Sequence, residues 1–211
     1  FSYGDAIYVM NADGSSPTRL TSVVFLTGGA SWSPDGTKIA FYSVAESNAE
    51  IFVMNPDGTG LIRLTNAPWS DLSPSWSPDG KKIVFSSARG GNSEIYVMHA
   101  DGSMQTRLTY NKVPDTQPVW SPDGRSIAFV SVRGGDSEIY TMRSDGSRQK
   151  QLTDNDVPDT HPTWSPDGKW LAFTTFPTKE EADEAEKSDE TLHNAVTVVN
   201  LDTWQEEKYE G

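Results

Sequence analysis

Four tryptophans, Trp32, Trp76, Trp120 and Trp164, stand 44 residues apart, and each opens the same pentapeptide, Trp-Ser-Pro-Asp-Gly. The register reaches well beyond them. Asp13-Gly14, Asp57-Gly58, Asp101-Gly102 and Asp145-Gly146 recur in step, as do Leu20-Thr21, Leu64-Thr65, Leu108-Thr109 and Leu152-Thr153. A period of this length means that one supersecondary unit is copied along the chain and buries its apolar faces against its neighbours.

Within a unit the apolar residues fall in short runs, such as Ile39-Ala40-Phe41-Tyr42, Ile51-Phe52-Val53-Met54 and Leu61 to Leu64, divided by Gly, Pro, Asp and Ser. Such runs predict strands. In Ser33-Pro34-Asp35-Gly36 the proline presets φ at the second position of a type I turn, and the glycine supplies the conformation that re-enters a strand. Asn55-Pro56-Asp57-Gly58 repeats the device, and the other units keep its Asp-Gly half. Each unit therefore carries two tight hairpin turns and two longer connections, which makes a four-stranded antiparallel sheet. Repeated every 44 residues, such a sheet is a β-propeller blade. A helical solenoid is the rival, but residues 1 to 176 show no 3.6-residue apolar period.

The string Ile7-Tyr8-Val9-Met10-Asn11-Ala12-Asp13-Gly14, then Arg-Leu-Thr, then Asp-x-x-Pro-x-Trp-Ser-Pro-Asp-Gly as in Asp71 to Gly80, resembles the WD40-like repeat of TolB-type propellers. The likeness runs almost unbroken from residue 7 to 176. It implies a scaffold with a face for ligands, placed in the periplasm or at the cell surface. Similar blades occur in periplasmic TolB, in bacterial surface proteins and in propeller domains of prolyl-oligopeptidase relatives, so the repeat specifies the scaffold rather than one protein.

With strands lettered A to D from the inside outwards, A leads into tryptophan, B follows Ser-Pro-Asp-Gly, C is Glu-Ile-Tyr-Val-Met and D is Arg-Leu-Thr. The expected architecture is all-β: a half-blade over 1–21 holding only C and D, then four full blades over 30–65, 74–109, 118–153 and 162–211. In the last blade residues 195–200 stand for strand C and Lys208-Tyr209 for strand D. Because TolB-like propellers usually have six blades, the expectation is a single propeller domain that belongs to a ring of about six. Either this is an excerpt of a longer chain, or another molecule completes the ring by associating through the open sheet edge.

Composition narrows the partners. A net charge of −13 argues against nucleic acid, since phosphate binding needs concentrated Lys and Arg. Part of that charge is local: residues 177–194 are rich in Asp and Glu and break the register by thirteen residues between strands B and C of the last blade. They read as a solvated loop, with a recognition element at the rim as the sharper alternative. The absence of cysteine excludes disulfides, zinc–thiolate sites and thiol catalysis, and no apolar run is long enough for a transmembrane helix.

Strand direction sorts the connections by face. The tight turns lie at one end of each sheet; the D-to-A and B-to-C loops lie at the other, which is the expected partner-binding face. It gathers Asp71, Asp115 and Asp159 of the Asp-x-x-Pro motif, Trp69, His161, and Arg89 and Arg133 at the head of the Arg-Gly-Gly loops. Each has a plainer reading. The aspartates can lock the crossing between blades by accepting backbone N–H bonds. The arginines can pair with Glu94 and Glu138, or with aspartates of a neighbouring blade. The repeating tryptophans and the strand C aromatics Tyr8, Phe52, Tyr96 and Tyr140 are expected in the core or between blades.

Asp154, Asp156 and Asp159 supply three oxygens in six residues, yet the Asp-x-Asp-x-Asp-Gly calcium loop is absent, so no metal or other cofactor is expected. Nor is there a Gly-x-Ser-x-Gly elbow, a His-Glu-x-x-His or a phosphate-binding glycine loop. The expectation is a non-enzymatic propeller that binds or assembles proteins in the bacterial cell envelope. The alternative implied by the resemblance is the gating propeller of a prolyl-oligopeptidase-like serine peptidase whose catalytic domain lies outside this sequence.

Overall fold

The computed structural model describes residues 6–21, 26–45, 48–178 and 194–201. Most of the acidic segment 177–194, and Lys208-Tyr209, lie outside the described residues. The sheets among the described residues are built of antiparallel strands. Strands β1 (Tyr8–Val9) and β2 (Thr18–Arg19) form a two-stranded ladder. Strands β3 (Thr27–Trp32), β4 (Ile39–Ala45), β5 (Asn48–Met54) and β6 (Ile62–Arg63) form the first four-stranded sheet, and β7 (Asp71–Trp76), β8 (Lys82–Ser87), β9 (Glu94–His99) and β10 (Thr106–Arg107) the second. The third is β11 (Asp115–Trp120), β12 (Ser126–Ser131), β13 (Glu138–Arg143) and β14 (Lys150–Gln151). Strands β15 (Asp159–Trp164), β16 (Trp170–Thr175) and β17 (Ala195–Asn200) make the last, three-stranded among the described residues. These sheets are propeller blades, and the chain divides into two compact units, Phe1–Lys112 with β1 to β10 and Val113–Gly211 with β11 to β17.

The hairpins close as their residues dictate. In the first Trp-Ser-Pro-Asp-Gly turn the Gly36 N–H donates to the Ser33 carbonyl at 2.9 Å. Asp35 Oδ1 accepts from Ser33 Oγ at 2.6 Å and from the Thr37 N–H at 3.0 Å. The short aspartate thus satisfies donors that a bare loop would leave to water. The same pattern recurs at Ser77–Asp79, Ser121–Asp123 and Ser165–Asp167.

Strand A is not regular. Its pairing with strand B slips between Gly28 and Ser31, Leu72 and Ser75, Thr116 and Val119, and Thr160 and Thr163. The residue inside each slip, Gly29, Ser73, Gln117 or His161, holds a left-handed φ of 61°, 52°, 52° or 55°. This repeated β-bulge bends the inner strand and turns the bulged side chain out of the ladder.

The core is aliphatic and phenylalanine-rich. Phe41, Phe85 and Phe129 are wholly buried, and each faces the strand C aromatic across its ladder, with ring centroids 6.0, 5.9 and 5.8 Å apart for Phe52, Tyr96 and Tyr140. Tyr96 and Tyr140 are buried as expected, whereas Tyr8 is exposed. The tryptophans differ among themselves. Trp76 packs on a cluster that includes Val53 and Ile51 of the preceding blade, and Trp164 on Leu152 and Val130 of the preceding blade. Both are half-buried pegs between sheets, while Trp32 is 49% exposed and only Trp120 is buried. The innermost anchor is the strand B phenylalanine.

Candidate functional site

Two families of buried carboxylates organise the loop end of the blades. The first is the aspartate that opens strand A. Asp71 is wholly buried, and its Oδ2 accepts from Arg89 Nη2 at 2.7 Å. Asp115 does the same with Arg133 at 2.6 Å. Each arginine leaves strand B, lies over the aromatic pair beneath it and ends on a glutamine. Arg89 sits 5.6 Å from the Phe85 centroid and 4.9 Å from that of Tyr96, and it donates to Gln105 Oε1 at 2.5 Å. Arg133 sits 5.6 Å from Phe129 and 5.1 Å from Tyr140, and it donates to Gln149 Oε1 at 2.6 Å. The planar guanidinium serves both demands, carboxylate pairing and stacking. Burial pushes the Asp71 carboxyl above its ordinary range, against the opposing hydrogen bond from Ser87 and the charge of Arg89.

The second family is the glutamate that opens strand C. Glu50 is buried and accepts from Arg63 Nη2 at 2.8 Å, Thr65 Oγ1 at 2.6 Å and the Ala67 N–H at 3.0 Å. Glu94 accepts from Arg107, Thr109 and the Asn111 N–H in the same way, at 2.7, 2.5 and 3.0 Å. The pairing therefore corrects both sequence expectations. Among the described residues Arg89 and Arg133 pair with the aspartate of their own blade, neither with Glu94 and Glu138 nor with a neighbouring blade. It is the glutamates, not the aspartates, that receive the backbone N–H of the D-to-A loop. Their 44-residue spacing at positions 50, 94 and 138 was the available signal.

The last two blades depart from this plan, the third at its strand C glutamate and the fourth at its strand A aspartate. The residue 44 beyond Arg133 is Pro177, and the residue 44 beyond Arg107 is Gln151. Asp159, wholly buried, accepts from Asn155 Nδ2 at 2.8 Å instead of an arginine. Glu138 accepts from Thr153 Oγ1 and from the Asn155 N–H. Burial pushes its carboxyl upward, and the charges of Asp136 and Asp159 add to the shift.

The remaining site residues lie at the surface. Trp69 is 58% exposed on the loop before β7, where its carbonyl accepts from Asn48 Nδ2 at 3.1 Å. His161 is exposed at its bulge; its N–H donates to Gln117 Oε1 at 2.7 Å, and its Nδ1 lies 3.0 Å from Thr160 Oγ1. Tyr110, absent from the sequence reading, is 72% exposed with the Arg107 guanidinium 4.7 Å from its ring centroid. So in the first unit the loop end offers Trp69, Tyr110 and the outer edge of Arg89. Asp71 is enclosed and paired with Arg89. In the second unit Arg133 and His161 are presented while Asp115 and Asp159 are enclosed. No three His, Asp or Glu side chains among the described residues are placed to hold a metal ion, Asp154, Asp156 and Asp159 included. No helix among the described residues is long and apolar enough to cross a membrane.

Comparison with solved structures gives TolB from Acinetobacter baumannii, 27% identical, with a TM-score of 0.78 over 94% of this chain and 47% of that one. The putative TolB from Agrobacterium tumefaciens is also 27% identical, with a TM-score of 0.81 over 94% of this chain and 71% of that one. The chain thus spans about half the length of the first relative. A puromycin-hydrolysing peptidase of Mycobacterium tuberculosis, 16% identical, shares the fold at a TM-score of 0.66 over 95% of this chain and 34% of that one. A search of curated protein sequences returned no match. The model of the TolB β-propeller domain family matches residues 63–202, about two thirds of the sequence, and with the blades described above it establishes that the chain belongs to that family.

Proposed function

We propose that this propeller is a non-enzymatic module that binds or assembles proteins in the bacterial cell envelope, in the periplasm or at the cell surface, and that it does so through the loop end of its blades. The observation that carries the reading is the make-up of that end in the first unit. Two large aromatics, Trp69 and Tyr110, are exposed on the D-to-A loops, Tyr110 beneath the Arg107 guanidinium, and the guanidiniums of Arg89 and Arg107 are held in one geometry by enclosed carboxylates. Aromatic and arginine anchors that are rigid before binding are the chemistry of protein–protein hot spots. The TolB relatives support the envelope location.

Trp69 and Tyr110 are the residues to test, because the hydrogen bonds described for Asp71, Glu50 and Glu94 come from other residues. An envelope extract of the source organism passed over the immobilised chain should leave specifically bound protein, and Trp69→Ala with Tyr110→Ala should cut its retention at least about tenfold. The unfolding midpoint should stay nearly unchanged, as for surface substitutions generally. Equal retention by variant and wild type sinks the reading. A hydrolase domain with a Gly-x-Ser-x-Gly elbow encoded in the same gene would favour the peptidase alternative, for which the fold likeness is the only support.

A further inference from the structure

The turn end of the blades, expected to be filled by tight hairpins, contains a cleft in each unit. In the first unit it measures about 450 Å³, with Val53, Ile62, Leu64 and Trp76 forming an apolar wall. Its rim carries Asp35, Lys38 and Asp101. In the second unit it measures about 310 Å³, and its wall includes Thr141, Leu152 and Trp164, with Lys150, Asp123 and Asp167 beside them. Eight lining positions of the first cleft, each advanced by two repeats, line the second. The cleft is therefore a product of the 44-residue unit rather than an accident of one loop.

Three properties define what fits. The wall joins the apolar strands C and D of one blade to the tryptophan of the next, and Ile62 on the outermost strand is 54% exposed. The rim carboxylates are fixed as anions: the Ser33 hydroxyl and the Thr37 N–H hold Asp35 below its ordinary range, and the Ser103 hydroxyl and N–H do so for Asp101. Each cleft already tolerates an ammonium-bearing side chain of this chain. Lys38 lies along the first with its Nζ turned to Asn55 Oδ1 at 2.6 Å, and Lys150 lines the second. An aliphatic stem ending in a cation matches this combination. The stem covers the apolar wall, while the head reaches the aspartates and the indole face.

We infer that the cleft walled by Trp76 is a docking site for a lysine or arginine side chain on an extended segment of a partner protein. It lies at the end of the blades opposite to the loops of the proposed function and stands independently of that reading. The net charge of −13 draws such a segment in, and Asp35 and Asp101 seat its cationic head. The two ends of the blades thereby serve different partner chemistries: aromatic and arginine anchors at one, receptors for cations at the other.

The test is a titration of the whole chain with a short peptide alternating lysine and serine, followed by the indole N–H resonances in a proton–nitrogen correlation spectrum. Comparison with Trp76→Phe assigns the Trp76 signal. The expected result is saturable movement of that signal, weakened about fivefold by Asp101→Asn and about fivefold by Ile62→Ser, and at least about tenfold by 0.5 M salt. Both substitutions are at exposed positions, and unfolding midpoints measured in parallel check that each variant is fully folded at the temperature of the titration. The inference is overturned if the peptide binds without moving the Trp76 signal, or if a glutamate–serine peptide moves it equally. It is equally overturned if a neutral glucose oligosaccharide moves the signal and the cationic peptide does not, which would make the cleft a glycan site.

Discussion

Arg89 shows how far residue-level reasoning reaches. From the sequence it is a loop arginine near several acids, open to a partner. In the fold its guanidinium is the counter-ion of an enclosed aspartate, with its side chain 23% exposed. Removing one member of such a pair leaves a buried charge uncompensated, so Arg89→Ala should cost about 3 kcal/mol in urea unfolding. Adding Asp71→Asn to it should recover part of that loss, and a double variant no better than the single one would refute the pairing. Charge reversal at Arg89 is thus a stability experiment rather than a binding one. Glu138 supplies the converse. Its folded carboxyl is raised by burial, so its favourable contribution is complete below the unfolded value near 4.5 and is lost as pH rises through the folded one. Gln151→Arg would give it the partner that Arg63 and Arg107 give Glu50 and Glu94. The gain should be about 1 kcal/mol at neutral pH and should shrink toward zero near pH 4, as the carboxyl protonates. Urea titrations of both chains across that range measure it.

At the scale of the element, the strands and turns were legible in the sequence because their chemistry is local. Asp-Gly in a hairpin and a proline at the second turn position depend on little beyond the four residues involved. The bulge in strand A was not legible. Nothing in Leu72-Ser73-Pro74 announces a left-handed Ser73, and only the slipped pairing and the recurrence at Gly29, Gln117 and His161 reveal it. The ion-pair partners were illegible for a related reason: spacing leaves Arg89 several acids within reach, and the depth of Asp71 decides among them. Glycines of one motif likewise differ by surroundings. Gly14 and Gly102 hold φ of 83° and 85°, but a Cβ at Gly14 meets nothing within 4 Å, whereas at Gly102 it would stand 2.7 Å from the Leu64 carbonyl oxygen of the preceding blade. Gly14→Ala should therefore cost about 1 kcal/mol, the left-handed penalty alone, and Gly102→Ala at least twice as much. Equal losses in thermal unfolding would mean that the turn does not pack on Leu64.

For the whole molecule, eight turn aspartates should set the response to acid. Asp13, Asp35, Asp57, Asp79, Asp101, Asp123, Asp145 and Asp167 are all held below 3.8, each with a side-chain hydrogen bond from a serine or threonine as the largest cause. A depressed carboxyl contributes stability that is present above its unfolded value and is lost as pH falls through the folded one. Asp71 and Glu138, both raised, act in the opposite sense between the acid range and neutrality. With eight groups against two, the urea midpoint should fall steeply as pH drops from 4 toward 2. Self-repulsion predicts otherwise, because the net charge of −13 at neutral pH passes through zero near the isoelectric point of about 4.5 on the way down. If repulsion governed stability, the midpoint would rise toward pH 4.5 and salt would flatten the profile. Hydrogen bonds from neutral hydroxyls and backbone N–H groups a few ångströms away are poorly screened, so the acid limb should keep its position and slope in 0.5 M NaCl. Asn retains the turn-forming carbonyl without the titration, and Asp→Asn at Asp57, Asp101 and Asp145 together should make that limb shallower. An acid limb that moves with salt but ignores these substitutions would assign the transition to overall charge instead of the repeat.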